Sequence, residues 1–215
     1  QFASLDHLSH GRASWNVVTT FETAAAGNFG RRTHIAPDER YARAGEFLGL
    51  VRRLWDTWED DAFTRDPASG QFIDPAKLHL VEYHSAHFDL EGGLNVERPP
   101  QGHPVIFVAA SSEEGRALAA AEADALFTAQ PEMEAGRAFY ADVKRRVVQH
   151  GRSPESLAVL LGAMIIVAPT DAEAQDRHAA LRDAIDVDFG VAYLSSLVGA
   201  DLSGLSLDDP LPDAL

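Results

Sequence analysis

Phe2, Leu5 and Leu8 recur every third residue, one face of a helix, and His10-Gly11 stops it. This helix opens at Gln1 with no capping residue ahead of it, as in a chain that begins part-way through a fold. "ASWNVVTT" (13–20) then reads as a strand, followed by the glycine-containing loop "AAAGNFGRRTHIAP". Pro37-Asp38 opens a helix over 38–58, with Tyr41, Ala44, Leu48, Val51, Trp55 and Trp58 on one apolar stripe. Residues 59–103 break the rhythm: polar, turn-rich and long, with room for short strands at 79–83 and 87–90. A connection of this length inside a domain is usually functional or an insertion.

Regular alternation then resumes. "PVIFVAA" (104–110) is a continuous apolar run of the kind a buried parallel strand carries. A helix over 112–123, the strand "ALFTAQ" (125–130) and a helix over 132–150 ended by Gly151 follow. "LAVLLGAMIIVA" (157–168) is a further buried strand. Thr170 and Glu173 have the spacing of a capping box opening a helix to about residue 186. The Gly/Pro/Asp-rich tail, about 199–215, is expected to be extended. Four buried strands, each followed by a helix, predict a parallel α/β sheet. A closed (β/α)8 barrel needs eight such units in about 250 residues. The pattern therefore fits either a small open sheet or part of a barrel, with 1–215 as one domain.

Composition narrows the function classes. Eighteen Lys and Arg against 33 Asp and Glu give a net charge of −15 over 215 residues. That disfavours nucleic acid and anionic membrane surfaces as partners, since both are bound through cationic contacts. The absence of Cys excludes disulfides and thiolate metal sites. No apolar run approaches a membrane span, and no leader-like segment opens the sequence, so a cytoplasmic setting is expected.

In parallel α/β folds, ligands gather at the carboxyl ends of the strands. There, Ser111 and Ser112 lie between the 104–110 strand and the next helix, where free N–H groups suit a phosphate. A helix cap, Ser111 with Glu114, explains the same residues, and Glu113 and Glu114 would repel a phosphate placed too close. Tyr41 continues an apolar stripe, yet its hydroxyl could project to the same phosphate. Asn16, beside Trp15 in a buried strand, is either a satisfied core amide or a ligand contact. His84 and His87 form H-x-x-H with no third ligand evident by spacing, and no metal site is expected. His7, beside Asp6, reads as a helix-end residue, and no side chain stands out as catalytic.

Several stretches together resemble the bacterial luciferase-like flavin monooxygenases, in the nitrilotriacetate / dibenzothiophene-sulfone monooxygenase group. They are "LDHLSHGRASWNVVTT", "AAAGNFG", "DERYARAGEFLGLVRRLWDTWEDDA", "GLNVERPPQGHPVIFVAASSEEGR", "FTAQ" and "DLSGLSLDDPLP", in order over nearly the whole chain. The resemblance implies a luciferase-like (β/α)8 TIM barrel, of which this chain holds roughly strands four to seven plus the insertion. It implies a two-component monooxygenase that uses reduced FMN (FMNH2) from a flavin reductase, together with O2. Such an enzyme oxygenates a small organic substrate, often with C–N or C–S cleavage. Ser112, with Ser111, and Tyr41 match the family's phosphate-binding residues, and Asn16 matches the "WNVVT" asparagine near the flavin. Pro37 stands where the family often has a flavin-contacting histidine, which leaves His34 as the nearest substitute. Family members are about twice as long, so a partial barrel would leave two strand edges that a second copy could hide, and a homo-oligomer is expected. Two other readings stay open: a non-catalytic remnant, and a phosphate- or flavin-binding α/β module without turnover.

Overall fold

The computed structural model describes residues 1–20, 25–198, 200–208 and 210. The chain divides into two compact units, Gln1–Ala163 and Met164–Leu215.

The first unit is built on a parallel sheet. Its strands are β1 (Ser14–Val17), β4 (Val105–Ala109), β5 (Ala125–Ala129) and β6 (Ala158–Gly162), in the spatial order β1-β4-β5-β6. Helix α1 (Phe2–Leu8) precedes β1. The short α2 (Ala25–Asn28) and the long α3 (Pro37–Trp55) follow it, and α4 (Glu113–Glu122) and α5 (Met133–Gln149) follow β4 and β5. The predicted rhythm of buried strand and amphipathic helix is therefore present, with ends moved by a few residues. Between α3 and β4, the long insertion carries the antiparallel hairpin β2 (Val81–His84) and β3 (Asp89–Gly92).

Register decides which side chains share a face. Trp15 pairs with Ile106, and Val17 with Val108, which pairs in turn with Leu126. These residues point toward the helices, and Ile106, Val108 and Leu126 join Leu48, Trp55, Val143 and Val147 in the core. Burying one such side chain contributes roughly 1.5–3 kcal/mol. The α3 stripe behaves as its spacing predicts as far as the helix runs: Leu48 and Trp55 are buried, while Tyr41, Ala44 and Val51 pack partly buried against the core; the helix expected to 58 ends at Trp55, and Trp58 is buried beyond it, bridged to Leu78. On the opposite face, Asn16, Phe107, Ala125 and Ala158 form one row, and Ala109, Phe127 and Leu160 the next. Phe127 is 47% exposed and Leu160 43% exposed. Parallel strands are normally covered on both faces. An uncovered apolar face opposite a helix layer is the interior of a barrel seen from one side.

The strand expected over 157–168 stops at Gly162. The β5–β6 ladder ends where Ala129 pairs with Gly162, and no further strand among the described residues flanks β6. Without a ladder the chain leaves extended pairing, and Met164, Ile165 and Val167 are exposed.

Asp6 pins the start of the sheet. Fully buried, it accepts hydrogen bonds from Ala13 N (3.2 Å), Gln101 N (3.0 Å) and Gln101 Nε2 (2.6 Å). One carboxylate thus joins α1, the entry to β1 and the end of the insertion. The insertion is further tied down by Trp58 Nε1, which donates to Leu94 O at 2.7 Å, and by Arg98 on Asp56.

In the second unit, α6 (Asp171–Asp183) starts at Thr170, whose hydroxyl accepts from Glu173 N at 3.3 Å as the capping box predicts. Helix α7 (Val187–Val198) follows, an element the sequence reading does not include; Asp186 Oδ1 accepts from Phe189 N at its start. Ser195 Oγ donates to Val191 O and accepts from Leu202 N, which fastens the chain beyond α7 to that helix. Of the tail expected to be extended, residues 203–204 and 207–208 form turns. Residues 199, 209 and 211–215 lie outside the described residues. Among the described residues no helix is long and apolar enough to cross a membrane.

Candidate functional site

The carboxyl ends of β1 and β4 lie side by side, and α3 and α4 frame them. After β4, Ser112 takes an extended backbone and caps α4, its Oγ accepting from Gly115 N at 3.2 Å. The cap is therefore Ser112, one residue later than the Ser111–Glu114 pairing that the sequence suggests. Ser111 is otherwise engaged: its hydroxyl lies 3.0 Å from that of Thr128, which also accepts from Gln130 Nε2 at 3.0 Å. With Gly115 N held by the cap, the N–H groups of Glu113 and Glu114 have no partner among the described residues. They are the orphan donors of a helix start.

Gly115 shapes this corner. A Cβ there would overlap the Ala110 side chain and would lie 3.2 Å from the Tyr41 hydroxyl and 3.3 Å from Ser112 Oγ. Tyr41, on the first turn of α3, and Ser112, at the start of α4, thus bring their hydroxyls to one small cradle that only glycine leaves open. The Tyr41 ring packs against the core, and its hydroxyl has no hydrogen-bond partner among the described residues.

The acidic first turn of α4 is held by cations. Arg146 binds both Glu113 oxygens, at 2.5 and 2.9 Å, and Arg116 reaches Glu113 at 2.9 Å. The hydrogen bonds from Arg146 hold the Glu113 carboxyl below the ordinary range, against the opposing pull of desolvation. Burial pushes the neighbouring Asp142 carboxyl up, but bonds from Arg146 and Arg145 more than reverse it, so it too sits low.

Past the end of β1 lies a second feature, a cavity of about 380 Å³. Trp15, Val17, Ala44 and Phe47 supply apolar wall, and Asn16, Arg31, His34, Arg40 and Arg43 supply polar groups. Asn16 is exposed, and its amide has no hydrogen-bond partner among the described residues, so it is not a satisfied core asparagine. Pro37 is the first residue of α3, where a missing N–H costs nothing. His34 stands on the cavity wall with Nε2 2.9 Å from Thr20 O. Arg40 Nη1 also donates to Thr20 O.

A model of the luciferase-like monooxygenase family matches residues 1–202. The chain belongs to the luciferase-like monooxygenase family. Within that family it is 47% identical over 215 residues to nitrilotriacetate monooxygenase component A of Aminobacter aminovorans. It is 42% identical over 214 residues to the dibenzothiophene-sulfone monooxygenase of Rhodococcus erythropolis. Both matches take in 100% of this chain, but 48% and 47% of those proteins, so the chain spans about half the length of the curated relatives it matches. A riboflavin lyase solved with modified FMN and riboflavin superposes with a TM-score of 0.89 at 34% identity, over 97% of this chain and 47% of that one. The fold is thus part of a luciferase-like barrel, as the resemblance implies.

Of the four residues singled out by sequence, Tyr41 and Ser112 converge. Ser111 turns toward Thr128, and Asn16 faces the cavity. His84 and His87 do not act as a pair: His84 lies 2.6 Å from Asp89, and His87 lies 2.9 Å from Glu46. Sequence reasoning passed over Gly115, Arg31, Arg40 and Arg43. Gly115 was legible as the glycine three residues after Ser112. The arginines carried no signal, because loop and helix-surface arginines are usually just solvated.

Proposed function

We propose that this chain forms the phosphate-binding side of an FMNH2- and O2-dependent monooxygenase that oxygenates a small organic substrate. The observation that carries this reading is the convergence of the Tyr41 and Ser112 hydroxyls over Gly115 at the N-terminus of α4. The fit to a flavin phosphate is good on chemical grounds. Two hydroxyl donors, two orphan N–H groups and a positive helix end face a cradle that a Cβ would fill. Ser112 Oγ accepts from Gly115 N and still has its own proton to give. Glu113, engaged by two arginines, is partly neutralised as a source of repulsion.

Reduced FMN, when bound, supplies the electrons that activate dioxygen. The chain's own residues bind and orient. Ser112 and Tyr41 hold the phosphate, and Ser111, whose hydroxyl lies 3.0 Å from that of Thr128, ties the residue before the cap to β5. Asn16 offers an amide at the end of β1, and Trp15, Val17 and Phe47 keep water from that end of the site. His34 takes the place left by Pro37 and braces the loop after β1 through Thr20. The compounds in two relatives' names, nitrilotriacetate and dibenzothiophene sulfone, carry C–N and C–S bonds, and on that ground we read the oxygenation as one that cleaves such a bond. "Component A" supports a second component as partner, which we take to be a reductase that delivers FMNH2.

Titration of the chain with FMN, followed by flavin fluorescence, tests the assignment. Ser112→Ala and Tyr41→Phe should each weaken binding by roughly tenfold, the loss of one hydrogen bond to a charged group. Unchanged affinity in both variants would remove Tyr41 and Ser112 from the site.

A further inference from the structure

A serine followed by two glutamates is a contradictory start for a helix that binds a phosphate. Glu113 and Glu114 suit the positive end of α4, yet a phosphate monoester brings about two negative charges to the same N–H groups. Glu113 is held below the ordinary carboxylate range, so it stays ionised at any working pH.

The counter-charge comes from α5, where Asp142, Arg145 and Arg146 share one face at i, i+3 and i+4. Arg146 reaches across to α4 and takes Glu113 in two-point contact, Nη1 on Oε1 at 2.5 Å and Nη2 on Oε2 at 2.9 Å. Its Nε donates to Asp142 Oδ2 at 2.7 Å, and the same oxygen accepts from Arg116 Nη1 at 2.7 Å. Arg116 completes the ring through Glu113 Oε2 at 2.9 Å, and its Nε lies 3.4 Å from Ser112 O, on the capping residue itself. Arg145 binds the other Asp142 oxygen. Three arginines thus face two carboxylates. The Arg146 and Asp142 side chains are mostly buried, and a network with a two-point contact outweighs an isolated surface pair.

The other helix starts lack this arrangement among the described residues. Asp38 and Glu39 on α3, Asp171 and Glu173 on α6, and Asp188 on α7 make no ion pair with an arginine, and Glu134 on α5 is paired within its own helix by Arg137. Nor does α4 need the network as a cap, since Ser112 already accepts from Gly115 N.

We propose that Arg146 is a positioning residue for the phosphate. It holds the Glu113 carboxylate on α5 and, with Arg116 and Arg145, cancels the acidic charge that would otherwise repel the ligand. Discrimination between a phosphorylated flavin and its dephosphorylated form is then set partly from α5, while the cradle itself is built by Tyr41, Ser112 and Gly115. The proposal rests on the phosphate reading of Ser112 and Tyr41.

The 215-residue chain would be titrated with FMN and with riboflavin at fixed ionic strength, and the ratio of the two affinities read for each variant. Arg146→Gln should narrow the preference for FMN about fivefold, while riboflavin affinity stays as it was. Arg146→Lys, which keeps the charge, should narrow it by less than about twofold. Arg146→Gln combined with Glu113→Gln should return it to within about twofold of the unaltered chain, because both charges are then gone. Glu113→Gln alone keeps every arginine and should widen it about twofold. Arg53→Gln, near the end of α3 far from Tyr41, should leave it unchanged.

A preference untouched by Arg146→Gln would overturn the proposal. So would a double variant no better than Arg146→Gln alone, since Arg146 would then only clamp α4 to α5. Equal narrowing by Arg53→Gln would assign the effect to net charge and overturn it too. Where Arg146→Gln does not fold, a preference that Glu113→Gln fails to widen overturns it. Failure of the phosphate reading shows separately, as equal affinities for FMN and riboflavin in the unaltered chain, and that result takes this proposal with it.

Discussion

Gly115 does more than end a turn. Its missing Cβ lets Ala110 approach and keeps the space between the Tyr41 and Ser112 hydroxyls open. Gly115→Ala forces that corner apart. Denaturant unfolding should show a loss of about 1–3 kcal/mol from overpacking, and FMN affinity should fall with it. Asp6 is a second position where one side chain does several jobs. Asp6→Ala leaves Ala13 N, Gln101 N and the Gln101 amide without their acceptor in a buried site. The expected cost is about 3 kcal/mol, read from the same unfolding curves. Glu113 and Asp142 make acid sensitivity a residue-level property. Their folded pKa values lie below the unfolded ones, so their contribution is complete above the ordinary carboxylate range of about 4. It is lost as pH falls through the lowered values. Thermal unfolding against pH should therefore drop on the acid side, and Glu113→Gln should flatten that limb.

Among the elements, the parallel strands and their helices were the most legible, because continuous apolar runs and a 3.6-residue stripe each have one physical reading. The α3 stripe from Tyr41 to Trp55 shows this, and so does the β4 run that becomes Ile106 and Val108 in the core. Boundaries were less legible. An apolar run says what can be buried, but a strand lasts only as long as its neighbour, and β6 stops opposite Ala129 although Met164, Ile165 and Val167 continue the run. Helix α7 was missed because its start signal, Asp186, whose Oδ1 accepts from Phe189 N at 2.8 Å, falls where the preceding helix was expected to end. The site divides in the same way. Ser112 and Tyr41 could be read from a strand-to-helix junction and a helix first turn. Ser111 could not be separated from Ser112 until Thr128 was seen to hold it. The cationic cavity was invisible, because Arg31 and Arg40 come from different elements and meet only in the fold.

For the whole molecule, the apolar sheet face that carries Phe107 in one row and the exposed Phe127 and Leu160 in the next is the most consequential feature. Phe127 lies across Gly162, 2.6 Å from where a Cβ would stand, so even the covered part of this face is close-packed. An apolar sheet face whose β1 and β6 edges pair with no further strand among the described residues invites association, and we propose a second copy as the partner of this chain. Light scattering is expected to give a dimer or higher species, and Phe127→Lys should shift it toward monomer. Net charge sets the long-range field: at −15 the chain repels anions, so salt should strengthen rather than weaken the approach of an anionic ligand.

The central claim is that Tyr41 and Ser112 hold a phosphate over Gly115. Calorimetric titration of the chain with FMN and with riboflavin, which differ by that phosphate alone, tests it most directly. The account predicts that FMN binds about a hundredfold more tightly, and that the gap closes to within severalfold when Tyr41→Phe and Ser112→Ala are combined. Equal affinities for the two flavins in the unaltered chain, or a gap that survives both substitutions, would contradict it.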